Sequence, residues 1–318
     1  AKDIMPRYDT NALALAGGVG GAKLALGLAK ILDPDQLTLV VNTGDDEIFY
    51  GLHVSPDLDT VMYTLAGIAN PETGWGITGE TFNMLERLTA YGEDTWFGLG
   101  DKDLATHIRR TNLLNNGESL SEVTSKLAVA LGVEHAIMPM TDDSLRTIVD
   151  TEIGSLAFQD YFVKHRSEPK ATAIRFDTNG GARPSPGFER ALSESTIIVF
   201  CPSNPYLSVA PILEVTGIRE RIAGFPGKRI AVSPIIGGAA IKGPAAKLMA
   251  EFGVEPSCVD VAKQYIGLCD AFVIDNIDAD RANEIDSLGM DVLVCNTIMT
   301  SKEDKITLAR KVLDFALR

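Results

Sequence analysis

The chain has 318 residues, of which 45% are hydrophobic and 23% charged, with a formal net charge of −14. That length accommodates one large α/β domain or a core with an inserted lobe, and the composition is ordinary for a soluble globular protein. The acidic balance argues against a nucleic-acid groove, which needs dense Lys and Arg, and no apolar run approaches the ~20 residues of a membrane span.

In chain order, the N-terminus lacks a basic-then-apolar leader, which predicts a cytoplasmic protein. Residues 12–16 form an apolar run short enough for a buried parallel strand. Gly17, Gly18, Gly20 and Gly21 follow, and residues 22–32 have alanine/leucine helix composition. Strand, glycine turn and helix together make an anion cradle of backbone N–H groups at a helix N-terminus. Neither common fingerprint is satisfied. A dinucleotide motif starting at Gly18 would need glycine where Lys23 stands, and a Walker A would need Ser or Thr where Leu24 follows. Residues 37–42 read as a second buried strand, completing a βαβ unit. The turn after it carries Thr43, Gly44, Asp45 and Asp46, and in doubly wound sheets such a turn lies on the ligand-binding rim. Two adjacent carboxylates beside a phosphate cradle suggest a divalent cation.

The run 55–60, Ser-Pro-Asp-Leu-Asp-Thr, strengthens that reading. As a non-helical lead-in to a helix over 61–69, it would let Asp57 and Asp59 converge with Asp45 on Mg²⁺, which favours a few carboxylates plus phosphate oxygens. Helix N-capping is the competing role for Asp57 or Asp59. Residues 60–132 read as mostly helical, with Trp75, Trp96 and Phe97 most cheaply explained as packing residues and a flat ligand stacking on one of them as the minority reading. Asp103 suits the N-cap of a helix over 104–115, placing His107 and Arg110 where they could orient a phosphate or hydroxyl. A strand over 135–140, a polar turn over 141–144 and hairpin strands over 154–169 come next. The basic cluster Lys164, His165 and Arg166 is either a solvated edge or a lid over an anionic ligand. The loop 180–187 closes this insert.

Core patterning resumes with strands over 196–201, 229–233, 271–275 and 291–295, and an amphipathic helix over 302–317. Strands alternating with helices predict a Rossmann-like, doubly wound α/β fold with a mostly parallel sheet. Residues 1–60 and 190–318 are assigned to the nucleotide-binding core, and 61–189 to a helical and β-hairpin insert serving the acceptor. The turns at Ser203-Asn204 and Gly237-Gly238 fall on the same rim as the first glycine loop, where they suit a nucleobase or ribose. Cys201, Cys258, Cys269 and Cys295 form no paired motif and read as buried reduced thiols.

Five signatures now stand in order: GGVGGAK (17–23), NTGDD (42–46), SPDLDT (55–60), LGDKDLATH (99–107) and PSNP (202–205). FQDYF (158–162), SPIIGG (233–238) and MTS (299–301) fit the same pattern. Together they resemble the 2-phospho-L-lactate transferase (CofD-like) family of coenzyme F-420 biosynthesis, over nearly the whole chain. The resemblance implies a Mg²⁺-dependent phosphoryl transfer: the deazaflavin Fo attacks a guanosine diphosphate-linked three-carbon acid and GMP leaves. It implies that Gly17, Gly18, Gly20, Gly21 and Lys23 face the diphosphate, and that Asp45, Asp57 and Asp59 hold Mg²⁺. Asp57 or Asp59 is alternatively the base for the Fo ribityl hydroxyl. Ser203, Asn204 and Pro205 meet the guanosine, and Asn42, Thr43, Gly98, Asp101 and His107 complete the substrate-binding set. The run WFGLGD, with Gly98 where archaeal-type members often carry a basic residue, looks like the bacterial branch and favours a phosphoenolpyruvyl over a lactyl donor. A homodimer is implied as well. Two rivals remain: a non-catalytic nucleotide-sugar-binding regulator of the same superfamily, and a nicotinamide oxidoreductase, against which Lys23 argues.

Overall fold

The computed structural model describes residues 8–241 and 243–318. Residues 1–7, counted above in the core segment, lie outside the described residues, as does residue 242. The first half of the chain forms β1 (Ala12–Ala16), α1 (Gly18–Ala29), β2 (Leu37–Val41), the hairpin β3 (Glu47–Phe49) and β4 (Leu52–Val54), and α2 (Pro56–Ala66). It continues through α3 (Asn83–Ala90), α4 (Asp101–Asn115), α5 (Leu120–Ala130), β5 (Ala136–Pro139), β6 (Arg146–Thr151), β7 (Gly154–Ala157) and β8 (Ala171–Asp177). The second half forms α6 (Pro186–Glu194), β9 (Ile197–Phe200), α7 (Ala210–Glu214), α8 (Ile218–Ala223) and β10 (Lys228–Val232). The two-residue strands β11 (Ile235–Ile236) and β12 (Ala239–Ala240) and the helices α9 (Ala245–Glu251) and α10 (Cys258–Gln264) follow. Last come β13 (Ala271–Ile274), α11 (Ala282–Asp286), β14 (Asp291–Val294) and α12 (Lys302–Ala316).

Seven strands make one parallel sheet in the order β14-β13-β10-β9-β1-β2-β5. Successive side chains on a strand point to opposite faces, so each short apolar strand feeds two cores. Ala12, Ala14 and Ala16, with Leu39 and Val199, join the core under α1, α2, α5 and α12. Leu13, Leu15, Val40 and Phe200 join the opposite core, under α6, α7, α8 and α10. This is the doubly wound α/β fold that the strand–helix alternation predicts. From β1 the chain winds outward through β2 to β5, then returns beside β1 as β9 and winds the other way. The reversal opens a crevice between the carboxyl ends of β1 and β9, the place where ligands bind in such sheets.

Several local features differ from the sequence reading. The first helix begins at Gly18, inside the glycine run, and ends at Ala29. The second begins at Pro56 with Ser55 as N-cap, so Asp57 and Asp59 sit in its first turn and neither caps it. Gly100, not Asp103, is the N-cap of α4. Only residues 154–157 of the expected 154–169 hairpin are extended, and 160–164 form one π-turn. Strands β6 and β8, which flank and pair with each other, were not expected. The expected strand near 135–140 is β5, and it pairs with β2 at the sheet edge although it lies within the 61–189 segment. All four cysteines are buried and unpaired, as expected. Among the described residues, no helix is long and apolar enough to cross a membrane.

Helices α1 and α12 approach so closely that a Cβ at Gly27 would lie 2.1 Å from the Lys305 carbonyl oxygen. Alanine there should gain about 1 kcal/mol of helix propensity, but the overpacking costs about 1–3 kcal/mol. Gly27→Ala should therefore lower the melting temperature, as a thermal unfolding comparison with the parent chain will show.

Candidate active site

A cleft of about 630 Å³ opens at the carboxyl ends of the strands, over the β1/β9 crevice. Its floor is the start of α1. Gly17 is extended and Gly18 takes φ +62, a left-handed conformation that L side chains rarely adopt. A Cβ at Gly17 would come within 2.8 Å of Asp57, one at Gly20 within 2.4 Å of the Pro202 carbonyl, and one at Gly21 within 2.7 Å of Ser203 Oγ. The glycines thus let the 202–208 turn seat directly on the helix start. Ser203 Oγ accepts from the Gly17 N–H at 3.2 Å and donates to the Gly17 carbonyl at 2.9 Å, stitching the two halves of the sheet together. First-turn N–H groups of a helix have no helical acceptors, which leaves this floor suited to an anion.

Beside the floor sit two carboxylates on one amide. Asn42 lies just past the end of β2 and is 1% exposed. Its Oδ1 accepts from the Gly44 N–H at 2.8 Å, which turns its Nδ2 towards Asp57 Oδ2 at 2.9 Å and Asp45 Oδ1 at 3.3 Å. Burial, then repulsion from Asp57 and Asp46, pushes the Asp45 carboxyl well above its ordinary range. Burial raises Asp57 from 3.8 to about 6, against the bonds from Asn42 and the Gly18 N–H that favour its charged form. Two buried like charges sharing one donor fit a divalent cation, which would relieve both the desolvation and the repulsion.

Asp59 belongs to a different group. It was expected to converge with Asp45, but its carboxylate is forked by Arg110 of α4, with Nη1 at 3.1 Å from Oδ2 and Nη2 bonded to Oδ1. Arg110 Nη1 also donates to His107 Nδ1 at 3.2 Å. His107 Nε2 lies 3.2 Å from Asp103, whose other oxygen accepts the Tyr63 hydroxyl at 2.6 Å. Burial raises the Asp59 carboxyl, and the Arg110 and His107 charges oppose it. Asp59, Asp103 and His107 lie close enough together to hold an ion themselves, but the guanidinium already occupies Asp59.

The cleft lining combines two chemistries. Trp75, Phe97, Phe158 and Phe162 are its aromatic residues; Trp75 is 53% exposed and Phe158 stacks on Phe162 with centroids 5.5 Å apart. Phe97 is backed by Phe49, stacked at 3.8 Å. The lobe carrying Phe97 is held by reciprocal caps: Glu80 accepts from the Lys102 and Asp103 N–H groups, and Asp101 from those of Asn83 and Met84. Ser203, Asn204, Ser233, Thr297 and Thr300 add small polar groups to the lining. Asn204 Oδ1 accepts from the Tyr206 and Leu207 N–H groups, while its Nδ2 is buried with no hydrogen-bond partner among the described residues. A buried amide donor of this kind suits an acceptor on a ligand or a water.

Of the residues singled out from the sequence, Gly17, Gly18, Gly20, Lys23, Asn42, Asp45, Asp57, Asp59, Gly98, His107, Ser203 and Asn204 line the cleft. Gly21, Thr43, Asp101 and Pro205 do not. Gly21 packs against Ser203, and Asp101 caps α3. Lys164 of the basic cluster reaches Asp94 at 3.4 Å and lies over the Trp96 ring. Sequence reasoning missed the Asn42 bridge, and although FQDYF and MTS stood among the ordered motifs, it gave Phe158, Phe162 and residues 297–300 no place in the cleft. It also missed Tyr63, although the four-residue spacing of Asp59 and Tyr63 was a visible signal that both share one helix face.

The family model described as 2-phospho-L-lactate transferase CofD matches residues 13–307. The chain belongs to this family. It is 42% identical over 310 residues to a Streptomyces griseus protein named phosphoenolpyruvate transferase, covering 96% of this chain and 98% of that one. It is 38% identical over 305 residues to a Methanocaldococcus jannaschii protein named 2-phospho-L-lactate transferase, covering 95% and 96% respectively. A solved protein from Bacillus halodurans, 15% identical, shares the fold of this family member with a TM-score of 0.63 over 96% of this chain and 100% of that one.

An aspartate whose folded pKa exceeds its unfolded one weakens the fold as pH rises. For Asp57 the penalty is absent below 3.8, grows through the interval and is complete above about 6. Asp57→Asn should therefore stabilise the cation-free protein by about 1–3 kcal/mol at pH ~7.5 and leave it nearly unchanged near pH ~4. Thermal unfolding of both proteins in chelator at the two pH values checks this.

Proposed function

We propose that this chain transfers a phosphorylated three-carbon acid, phosphoenolpyruvyl in preference to 2-phospho-L-lactyl, from its guanosine diphosphate-linked donor to the deazaflavin Fo, releasing GMP in coenzyme F-420 biosynthesis. The observation that carries the reading is the cleft on the β1/β9 crevice, lined by the glycine turn, Asp45 and Asp57, in a chain that matches the family over residues 13–307. The names of the bacterial relatives and the Gly98 position support the phosphoenolpyruvyl donor. A cytoplasmic homodimer is part of the same reading, supported by the family resemblance.

The Fo ribityl hydroxyl attacks the donor phosphorus that bears the acid, the bond from that phosphorus to the bridging oxygen of GMP breaks, and the hydroxyl proton leaves to a base. The first-turn N–H groups of α1 and Lys23 face the diphosphate, which positions the phosphorus and neutralises charge. Asp45 and Asp57 would hold Mg²⁺, which supplies charge neutralisation on the phosphate oxygens. Asp57, which accepts from the Gly18 N–H, would also accept the proton. The aromatic wall suits a flat deazaflavin ring, and Asn204 Nδ2 suits an acceptor on the guanosine portion. The regulator reading lacks a comparable observation, since a solved neighbour at 15% identity shows the fold alone.

Mass spectrometry of products from Fo with phosphoenolpyruvyl- and lactyl-guanosine diphosphate donors should show a mass increase on Fo and equimolar GMP, larger with the first donor. Asp57→Asn should lower kcat/KM by about 10²-fold or more. Full rate in that variant would remove Asp57 from the mechanism, and thermal stabilisation by a UDP-sugar but not by GDP would favour a regulator.

A further inference from the structure

Asp57 and Asp59 are two residues apart on α2, which sets them about 200° apart around the helix axis. One faces α1 and Asn42, the other faces α4. The partners they meet there are of opposite kinds. Asp57 and Asp45 share the Nδ2 of one neutral amide. Asp59 has both oxygens taken by a guanidinium that is itself 1% exposed. Arg110 does not line the cleft, whereas Asp59 does. Arg110 Nη1 also donates to His107 Nδ1 at 3.2 Å and to the His53 carbonyl at 3.4 Å, so the guanidinium is tied to both α4 and β4.

We propose that Arg110 is a positioning residue that withholds Asp59 from the divalent cation, so that Asp45 and Asp57 alone hold it. The inference rests on the cation reading given under Proposed function. An arginine stays charged at any working pH, and its planar fork matches both oxygens of a carboxylate. For Asp59 to ligate an ion it would have to break two charge-assisted bonds in a buried setting and leave the guanidinium unpaired, which is costly. Asp45 and Asp57 give up only a shared amide contact, and an ion removes their mutual repulsion. With Arg110 on Asp59, and His107 and the Tyr63 hydroxyl on Asp103, Asp45 and Asp57 are the cleft carboxylates left to an ion, a number suited to one that completes its shell with phosphate oxygens. Three aspartates from two separate motifs thus become a two-carboxylate ion site and a neutralised wall.

The test uses Mn²⁺ alone, titrated into the full chain without either substrate and read by the loss of the free-ion electron paramagnetic resonance signal. Asp59→Asn should keep the parent affinity within about twofold, while Asp45→Asn should weaken it by about tenfold or more. Arg110→Met should bind Mn²⁺ several-fold more tightly, because it frees a third carboxylate. Should that variant fail to fold, Arg110→Lys, which keeps the charge but cannot bridge both oxygens, reads the same direction. The double variant Asp59→Asn/Arg110→Met, which buries no unpaired charge, should match Asp59→Asn. Equal losses in Asp59→Asn and Asp45→Asn overturn the proposal, as does unchanged affinity in the folded Arg110 variants or no Mn²⁺ binding by the parent protein. A parent that shows this binding pattern yet transfers nothing to Fo would count against the proposed function and leave the role of Arg110 standing.

Discussion

The cleft depends on the Cβ atoms that Gly17, Gly20 and Gly21 lack. Side chains there would collide with Ser208, the Pro202 carbonyl and Ser203 at distances of 2.6, 2.4 and 2.7 Å. Their absence lets the turn after β9 lie against the first turn of α1, and this contact closes the crevice where the sheet reverses direction. Ser203 then bonds the Gly17 backbone in both senses, and Asp57 reaches the Gly18 N–H. Fold and site therefore share one constraint: the close approach that joins the two halves of the sheet also sets the floor on which an anion would rest.

Around that floor, the same scarcity of water acts differently on neighbouring acids. Asp45 and Asp57 are desolvated and face each other across one amide, so their charged forms are disfavoured in the protein alone. Asp59 is equally buried and its carboxyl is also raised, but Arg110 and His107 offset part of that burial. Such a pair contributes little net stability, since desolvation offsets much of the attraction. Its effect is on arrangement, because it fixes which way Asp59 and His107 point. The aromatic wall is secured by separate means. Glu80, just before α3, caps α4, Asp101 of α4 caps α3, and Phe49 backs Phe97, so the lobe over the cleft is tied down outside the core.

Much of this was legible in the chain. The short apolar runs gave away β1, β2, β9, β10, β13 and β14 because strands buried on both faces need no alternation. The family followed from the ordered motifs, and the match over residues 13–307 bears that out. Other features were hidden. Glycine is a poor helix former, so the start of α1 within the glycine run contradicts propensity and is imposed by packing against the 202–208 turn. The start of α2 at Pro56 did have a signal, since Ser followed by Pro is a common N-cap and first-turn pair. Reading that signal would have put Asp57 and Asp59 on different sides of a helix.

The sequence by itself determined the doubly wound sheet, the family, and the set of glycines and carboxylates drawn to one rim. These follow from local composition and from the rule that strand ends share an edge. The tertiary structure alone decided which aspartates act together. Asn42 and Arg110 lie 15 and 51 residues from the carboxylates they bind, Asp57 and Asp59 respectively. Hydrogen-bond partners at that separation are chosen by how helices and strands pack, which no spacing within a motif encodes.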